Sequence, residues 1–413
     1  MKILLIHNRY TLYGGEDTLF DSEKLLLEKK GHQIETLIFD NKSDAGFAKL
    51  KMIYNIFYNS HSAKLLTEKI KAFQPEIIHV HNFFRIASPS IFYVANKYKI
   101  PIVVTIQNYR LVCAGALLLR DAQVCELCVQ HKFPLAGIKH KCFGNSYLKT
   151  TQLTLMTSLH KYLGTWREKI DMYICLNDFA KNKLANSSLQ LSLNQIAIKP
   201  NFTEDIGYQN DHHFDSQSIT TQKREDFYLF IGRLSKEKGI DILLEATKKS
   251  GCKLEIIGDG ELKELVEKAT QTHPNIIYHG FQQKDFIINK LKTCKALIFP
   301  SIWYEGMPLT ILEAFSAGTP IIASDIDNIR ELITNNYNGL HFHYGNASDL
   351  AEKIQYFEDK FNTDFSSIAH LYTQARLTYE QKYTPEIIYK QLIAIYEKTI
   401  EKKKLQTTIS SEQ

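Results

Sequence analysis

Two carboxylates eight residues apart, Glu305 and Glu313, stand in the segment FPSIWYEGMPLTILEAFSAGTPIIAS, residues 299–324. The pattern predicts a strand ending at Pro300, a loop carrying Trp303, Tyr304 and Glu305, and a helix starting near Pro308, where proline suits a first turn. Backbone amides around Gly306, Met307 and Leu309 then form the positive end of that helix, a site for a diphosphate at the carboxyl edge of a sheet. Two cations occur in a second segment, IGRLSKEKGIDILLEA, where Arg233 and Lys238 flank a tight turn into a helix. Preorganised cations of this kind stabilise the charge that grows on a departing diphosphate. A third turn, IIGDGELKELVE, places Gly258, Asp259 and Gly260 at a strand end.

Four thiols fall within about thirty residues, at Cys113, Cys125, Cys128 and Cys142. A C-x2-C pair with two outlying cysteines fits a structural Zn²⁺ site, with His131 or His140 able to replace one thiol. A reactive or redox pair and a set of reduced buried thiols are the competing readings. All four positions of such a zinc would be filled, which excludes a catalytic role. The triplet Asp325-Ile326-Asp327 has metal-binding spacing but follows the strand PIIAS, the wrong place for it.

The elements that must hold these residues come in two series. KILLIH, QIETLIF, EIIHVH, IPIVVTI, DMYICL and QIAIK alternate with helical periodicity in the first half. FYLFIG, KLEIIG, NIIYHG, ALIFPS, PIIAS and GLHF repeat the rhythm in the second. Such a βαβ rhythm predicts an α/β chain of two doubly wound parallel sheets. The expected organisation is a first domain over 1–205 with a cysteine-rich insertion at about 110–145, a linker over 206–226, and a second domain over 227–375. A helix over 376–400, with its apolar spacing from Thr384 to Lys398, is expected to return to the first domain, and a frayed tail covers 401–413.

The chain has 413 residues with 44% hydrophobic content, enough for two cores. Basic residues outnumber acidic ones 26 to 17 up to Asp205, and fall behind 24 to 28 after it. Seven cysteines, an odd number, argue against a disulfide framework and for a reducing compartment. The start MKILLIHNRY lacks a signal-peptide pattern and no apolar run is long enough to span a bilayer, so a cytoplasmic protein is expected. AGFAKLKMIYNIFYNSHSAKLL mixes Lys49, Lys51 and Lys64 with Phe47, Met52, Ile53, Ile56 and Phe57, which fits either an interfacial helix or a core-facing one. The first reading implies peripheral contact with the cytoplasmic face of the inner (plasma) membrane. Nothing in the pattern points to nucleic acid.

The Glu305 to Glu313 spacing, with Gly318-Thr319-Pro320 following in order, resembles the E-x7-E signature of the family 4 glycosyltransferases. That resemblance covers residues 226–345 strongly and the first half more loosely. It implies GT-B architecture, two Rossmann-like domains facing a central cleft, and transfer of a sugar from a nucleotide-sugar donor with retention and without a catalytic metal. It assigns Glu305 to the donor sugar, Glu313 to the ribose, and Arg233 and Lys238 to the diphosphate. Gly258 and Asp259 would lie near the nucleotide, and a UDP-sugar is the default donor. The loop NRYTLYGGED resembles the family's glycine loop beside the diphosphate, through Gly14 and Gly15.

His81 and Gln107, each at the end of a strand, are the expected acceptor contacts. Family members commonly carry histidine where Gln107 stands, and an amide cannot take a hydroxyl's proton. The family's front-face mechanism, in which the leaving diphosphate accepts that proton, survives the change. Similar cysteine-bearing insertions occur in a polysaccharide-assembly subset, which implies a glycan or polyprenyl-linked acceptor in capsule, exopolysaccharide or O-antigen synthesis. The alternatives are a nucleotide-sugar epimerase of the same fold, or a nonenzymatic, zinc-dependent binding protein.

Overall fold

The computed structural model describes residues 1–10, 14–41, 54–207 and 223–411. The chain divides into two compact units, the first being Met1–Leu118, Cys125–Asn201 and Ile388–Gln413, and the second Leu119–Val124 with Phe202–Ile387.

The first unit contains β1 (Lys2–Arg9), β2 (Gln33–Asp40), β3 (Ile77–Val80) and β4 (Ile102–Thr105). The antiparallel hairpin β5 (Leu119–Arg120) and β6 (Gln123–Val124) interrupts it, and β7 (Met172–Cys175) with β8 (Ile196–Ile198) completes it. Its sheet is parallel throughout, in the order β2-β1-β3-β4-β7-β8. β3, β4 and β7 are buried along their whole length, the expected outcome for near-continuous apolar runs covered on both faces.

The second unit's sheet holds β9 (Tyr228–Ile231), β10 (Leu254–Ile257), β11 (Ile276–Tyr278), β12 (Leu297–Phe299), β13 (Ile321–Ser324) and β14 (Gly339–Phe342). Their order, β11-β10-β9-β12-β13-β14, is that of a Rossmann sheet, and every pairing is parallel. The winding reverses between β9 and β12. Sheets of this kind take ligands outside the carboxyl ends at that point, and the segments that leave β9 and β12 are the two that carry Arg233, Lys238 and Glu305.

Two expectations change at the ends of the units. Residues 208–222 of the expected linker lie outside the described residues, but Phe202 and Ile206 are buried, and the main segment of the second unit begins at Phe202. The residues expected to fray after Lys402 are helical: one helix runs Pro385–Ser411, separate from a preceding helix Ser366–Lys382. Leu392, Ile395 and Tyr396 pack into the first unit's core with Ile3, Leu5 and Phe20. Lys403 donates to Asp171 at 2.8 Å, so the polar end has a partner that composition alone did not announce.

Candidate functional site

In the second unit, β9 ends in a turn whose backbone conformation is set by glycines. Gly239 sits at φ +71°, and a Cβ there would meet the Pro300 carbonyl oxygen at 2.0 Å. Gly258 at φ +144° would place a Cβ 1.8 Å from the Gly232 oxygen. The GDG turn therefore lies directly against the turn carrying Arg233, and Asp259 accepts from the Leu234 amide at 2.9 Å. The Asp259 carboxylate is turned onto the Gly260 amide at 2.8 Å, where it holds the turn.

That packing brings Lys238 to the loop after β12. Its ammonium donates to Glu305 Oε1 at 2.5 Å, and the same oxygen accepts from Ser301 Oγ at 2.7 Å and Trp303 Nε1 at 2.9 Å. Asn328 donates its side-chain amide to the Glu305 carbonyl. Glu305 is 5% exposed, so this carboxylate is fixed by three charge-assisted or indole donors rather than by water. Arg233 is aimed outward, 59% exposed at its side chain, with one bond to Glu237 at 2.9 Å.

Pro308 is the N-cap of the helix Leu309–Ser316, with Gly306 and Met307 in the loop before it. The helix is held at its far end by Arg376, which donates to the Ser316 carbonyl at 2.6 Å. Glu313 lies on this helix, and burial pushes its carboxyl up to about 7, opposed by Lys284. A carboxyl in that state exchanges between donor and acceptor near neutral pH. Asp325 and Asp327, by contrast, are tied to Arg330 at 2.5–2.9 Å as surface ion pairs.

In the first unit, Gly14 is the N-cap of the helix Gly15–Lys29, and its amide donates to Asp17 at 3.0 Å. A Cβ at Gly14 or Gly15 would meet nothing within 4 Å, so neither packing nor a left-handed backbone demands glycine at these two positions. A small pocket of about 30 Å³ opens at the carboxyl ends of β3 and β4, lined by His81, Thr105, Gln107, Asn108 and Arg110 among others. Gln107 Nε2 and two nitrogens of Arg110, Nε and Nη1, are buried there without hydrogen-bond partners among the described residues. Phe84 stacks on the Arg110 guanidinium at 4.2 Å.

His81 also belongs to a buried network. Glu23 lies 2.5 Å from Lys199 Nζ and 3.1 Å from both His79 Nδ1 and His81 Nε2. His79 in turn bonds Tyr396 and Thr105, each at 2.7 Å. Burial and the neighbouring His79 lower His81 to about 4. Burial alone would raise the Glu23 carboxyl, but Lys199, His81 and His79 together hold it well below its usual range. Among the described residues, Glu23, His79 and His81 are the one set of three ligating groups within 4.8 Å of one another. Because the Lys199 ammonium already neutralises the carboxylate, the set is a buried ion-pair network rather than a metal site.

The four insertion thiols interact electrostatically, yet no three of their sulfurs meet that 4.8 Å limit. Burial raises Cys113, and with Cys113 beside it pushes Cys128 up to about 11, the opposite of a reactive thiolate. Sequence reading missed Arg110, Trp303, Ser301 and the Glu23–Lys199 pair. Only Arg110 had a local signal, as the cation closing the run TIQNYR.

Residues 211–369 match the family described as glycosyl transferases group 1. An uncharacterized glycosyltransferase of Methanocaldococcus jannaschii is 26% identical over 246 residues, 59% of this chain and 61% of that one. The match to the group 1 glycosyl transferases covers about two fifths of the chain, all of it after residue 210. The chain is likewise similar to the amylovoran biosynthesis glycosyltransferase AmsK of Erwinia amylovora, 26% identical over 183 residues, 41% of this chain and 44% of that one. The chain spans about half the length of the curated relatives it matches. HepE of Anabaena, solved in complex with UDP, superposes with a TM-score of 0.64 at 15% identity over 96% of this chain and 100% of that one. The fold of the chain is therefore GT-B.

Proposed function

We propose that the chain transfers a sugar from a nucleotide-diphosphate donor, by default a UDP-sugar, to a glycan or polyprenyl-linked acceptor, with retention at the anomeric carbon. The observation that carries this reading is the meeting of Lys238 and Glu305 at the switch point of the second sheet, where α/β sheets take their ligands. A diphosphate recruits Arg233 from Glu237 and shares Lys238 with Glu305, and these two cations stabilise the leaving group without a catalytic metal. Glu313 accepts from the ribose hydroxyls and Glu305 from the sugar. Gly258, Asp259, Gly306, Met307, Pro308 and Leu309 line the donor, and Gly14 and Gly15 are assigned to the donor as well.

His81 and Gln107 belong to the acceptor side, with Arg110 beside them. Gln107 donates a hydrogen bond to the acceptor, and the departing diphosphate takes the proton. The relatives' names point to polysaccharide assembly, as with amylovoran biosynthesis, and a lipid-linked acceptor brings the chain to a membrane surface. A structural zinc on Cys113, Cys125, Cys128 and Cys142 stays in the proposal, and the metal content of purified protein tests it. Absence of zinc assigns the thiols to packing.

The test of the donor reading is thermal stability with UDP, GDP and ADP, each alone and without added metal. A ligand at about 100 times its Kd stabilises the fold by roughly 2.7 kcal/mol. One nucleotide raising the transition, with the rise lost in Glu313→Ala, is the expected result. No response to any nucleotide overturns the reading. NMR of the product's anomeric configuration, once an acceptor is in hand, tests retention.

A further inference from the structure

The helix Tyr147–Tyr162 in the first unit is amphipathic the wrong way round. Its buried face includes Thr150, Thr154, Thr157, Ser158 and His160 beside Leu153 and Met156. Its solvent face carries Leu148, 74% exposed, with Leu155 and Leu159 each 43% exposed, and Tyr162 and Leu163 continue the same stripe. Positions 148, 155, 159 and 162 recur at intervals of seven, four and three, which stacks them along one side of a helix about 24 Å long. A helix on an ordinary protein surface shows the reverse distribution.

The segment that carries this stripe is basic. From Leu127 to Arg167 the sequence has six basic residues and no acidic one. Lys161 turns inward to Ser188 and Arg167 pairs with Glu168, but Lys132, Lys139 and Lys149 are exposed. The two tyrosines that bracket the helix each carry a lysine over the ring, Lys141 at 4.6 Å on Tyr147 and Lys132 at 5.9 Å on Tyr162. Aromatic rings with adjacent cations at both ends of an apolar stripe match the chemistry of the headgroup region of a bilayer.

We infer that this face, centred on Leu148, Leu155, Leu159 and Tyr162, docks onto an anionic lipid bilayer. The leucines enter the acyl boundary while Lys132, Lys139, Lys141 and Lys149 meet the headgroups. This moves the expected membrane contact away from residues 45–66, of which Phe47, Lys49, Lys51, Met52 and Ile53 lie outside the described residues and Ile56 is buried. The inference deepens the lipid-linked acceptor of the reading above. Vesicle binding without donor or acceptor separates the two, because either can fail alone.

The experiment is co-sedimentation of the full chain with vesicles of phosphatidylcholine alone and of phosphatidylcholine mixed with phosphatidylglycerol. Binding to the anionic vesicles, weakened by salt, is expected. The double variant Leu155→Glu/Leu159→Glu should partition at least tenfold less, roughly what withdrawing two leucines from an apolar phase entails, with its melting transition and nucleotide response unchanged. Should that variant unfold, Leu148→Glu in the first turn, where an acid is tolerated, gives the same readout. Three results overturn the inference: no binding by the parent chain, binding by a folded variant equal to the parent's, or a parent dimer that the substitution disperses, which would assign the face to a second copy.

Discussion

Glu313 is a carboxyl raised by burial and Lys238 a largely buried cation on Glu305, and each can be tested by a single substitution. Glu313 has a folded-state carboxyl at about 7, above its ordinary value, so the native state binds more protons than the unfolded state between about pH 4.5 and 7. Its contribution to stability is present below that window and is lost as pH rises through it. Glu313→Gln should therefore gain melting temperature relative to the parent as pH is raised from 5 to 8, while binding the nucleotide more weakly. A pH series of melting curves on both proteins checks it. Lys238→Met leaves Glu305 with Ser301 and Trp303 but without its cation. Breaking one partner of a largely buried pair costs about 3 kcal/mol, and turnover should fall by about a hundredfold or more if the ammonium stabilises the leaving diphosphate. Single-turnover kinetics separate that from a loss of donor affinity.

Glycines at two turns illustrate what an element asks of a residue. Gly258 needs both its positive φ and its missing Cβ, since any side chain strikes the Gly232 carbonyl. Gly258→Ala is expected to destabilise the second unit by roughly 2 kcal/mol or more. Gly14 needs neither for folding, so Gly14→Ala should leave stability within about 0.5 kcal/mol of the parent and weaken donor binding. Denaturant titration alongside nucleotide binding reads out both. Equal destabilisation by the two alanines would remove the reason for assigning Gly14 to a ligand.

At the scale of the molecule, the C-terminal helix is tied to the first unit through chemistry as well as packing. Tyr396 bonds His79, and His79 stands beside the Glu23–Lys199 pair. Burial lowers His7 and His81 to about 4, so the unfolded state binds more protons between about pH 4 and 6.5. Stability from these neutral histidines is present above that window and lost as pH falls through it. Calorimetry should show the first unit's transition dropping on acidification across that range. Lys199→Met, which strands the Glu23 carboxylate, should lower the same transition by roughly 3–5 kcal/mol even at neutral pH.

The order of apolar runs, read along the chain, was enough to specify two parallel sheets, because a buried strand needs a continuous apolar stretch and a crossover needs helical periodicity. The Glu305–Glu313 spacing and the glycine turns were legible for the same reason: each is a local pattern with a local cause. Which charges meet was not legible. Lys238 reaches Glu305 across 67 residues, and Glu23 reaches Lys199 across 176, only because the tertiary fold brings those segments together. The end of the last helix was hidden too, since KKKLQTTISS has no apolar stripe and its anchor, Asp171, lies far away in sequence. Nothing in the sequence of the Tyr147–Tyr162 helix sets its exposed leucines apart from core positions. Composition sets how much apolar surface a helix carries, but only its packing partners decide which side of it faces water.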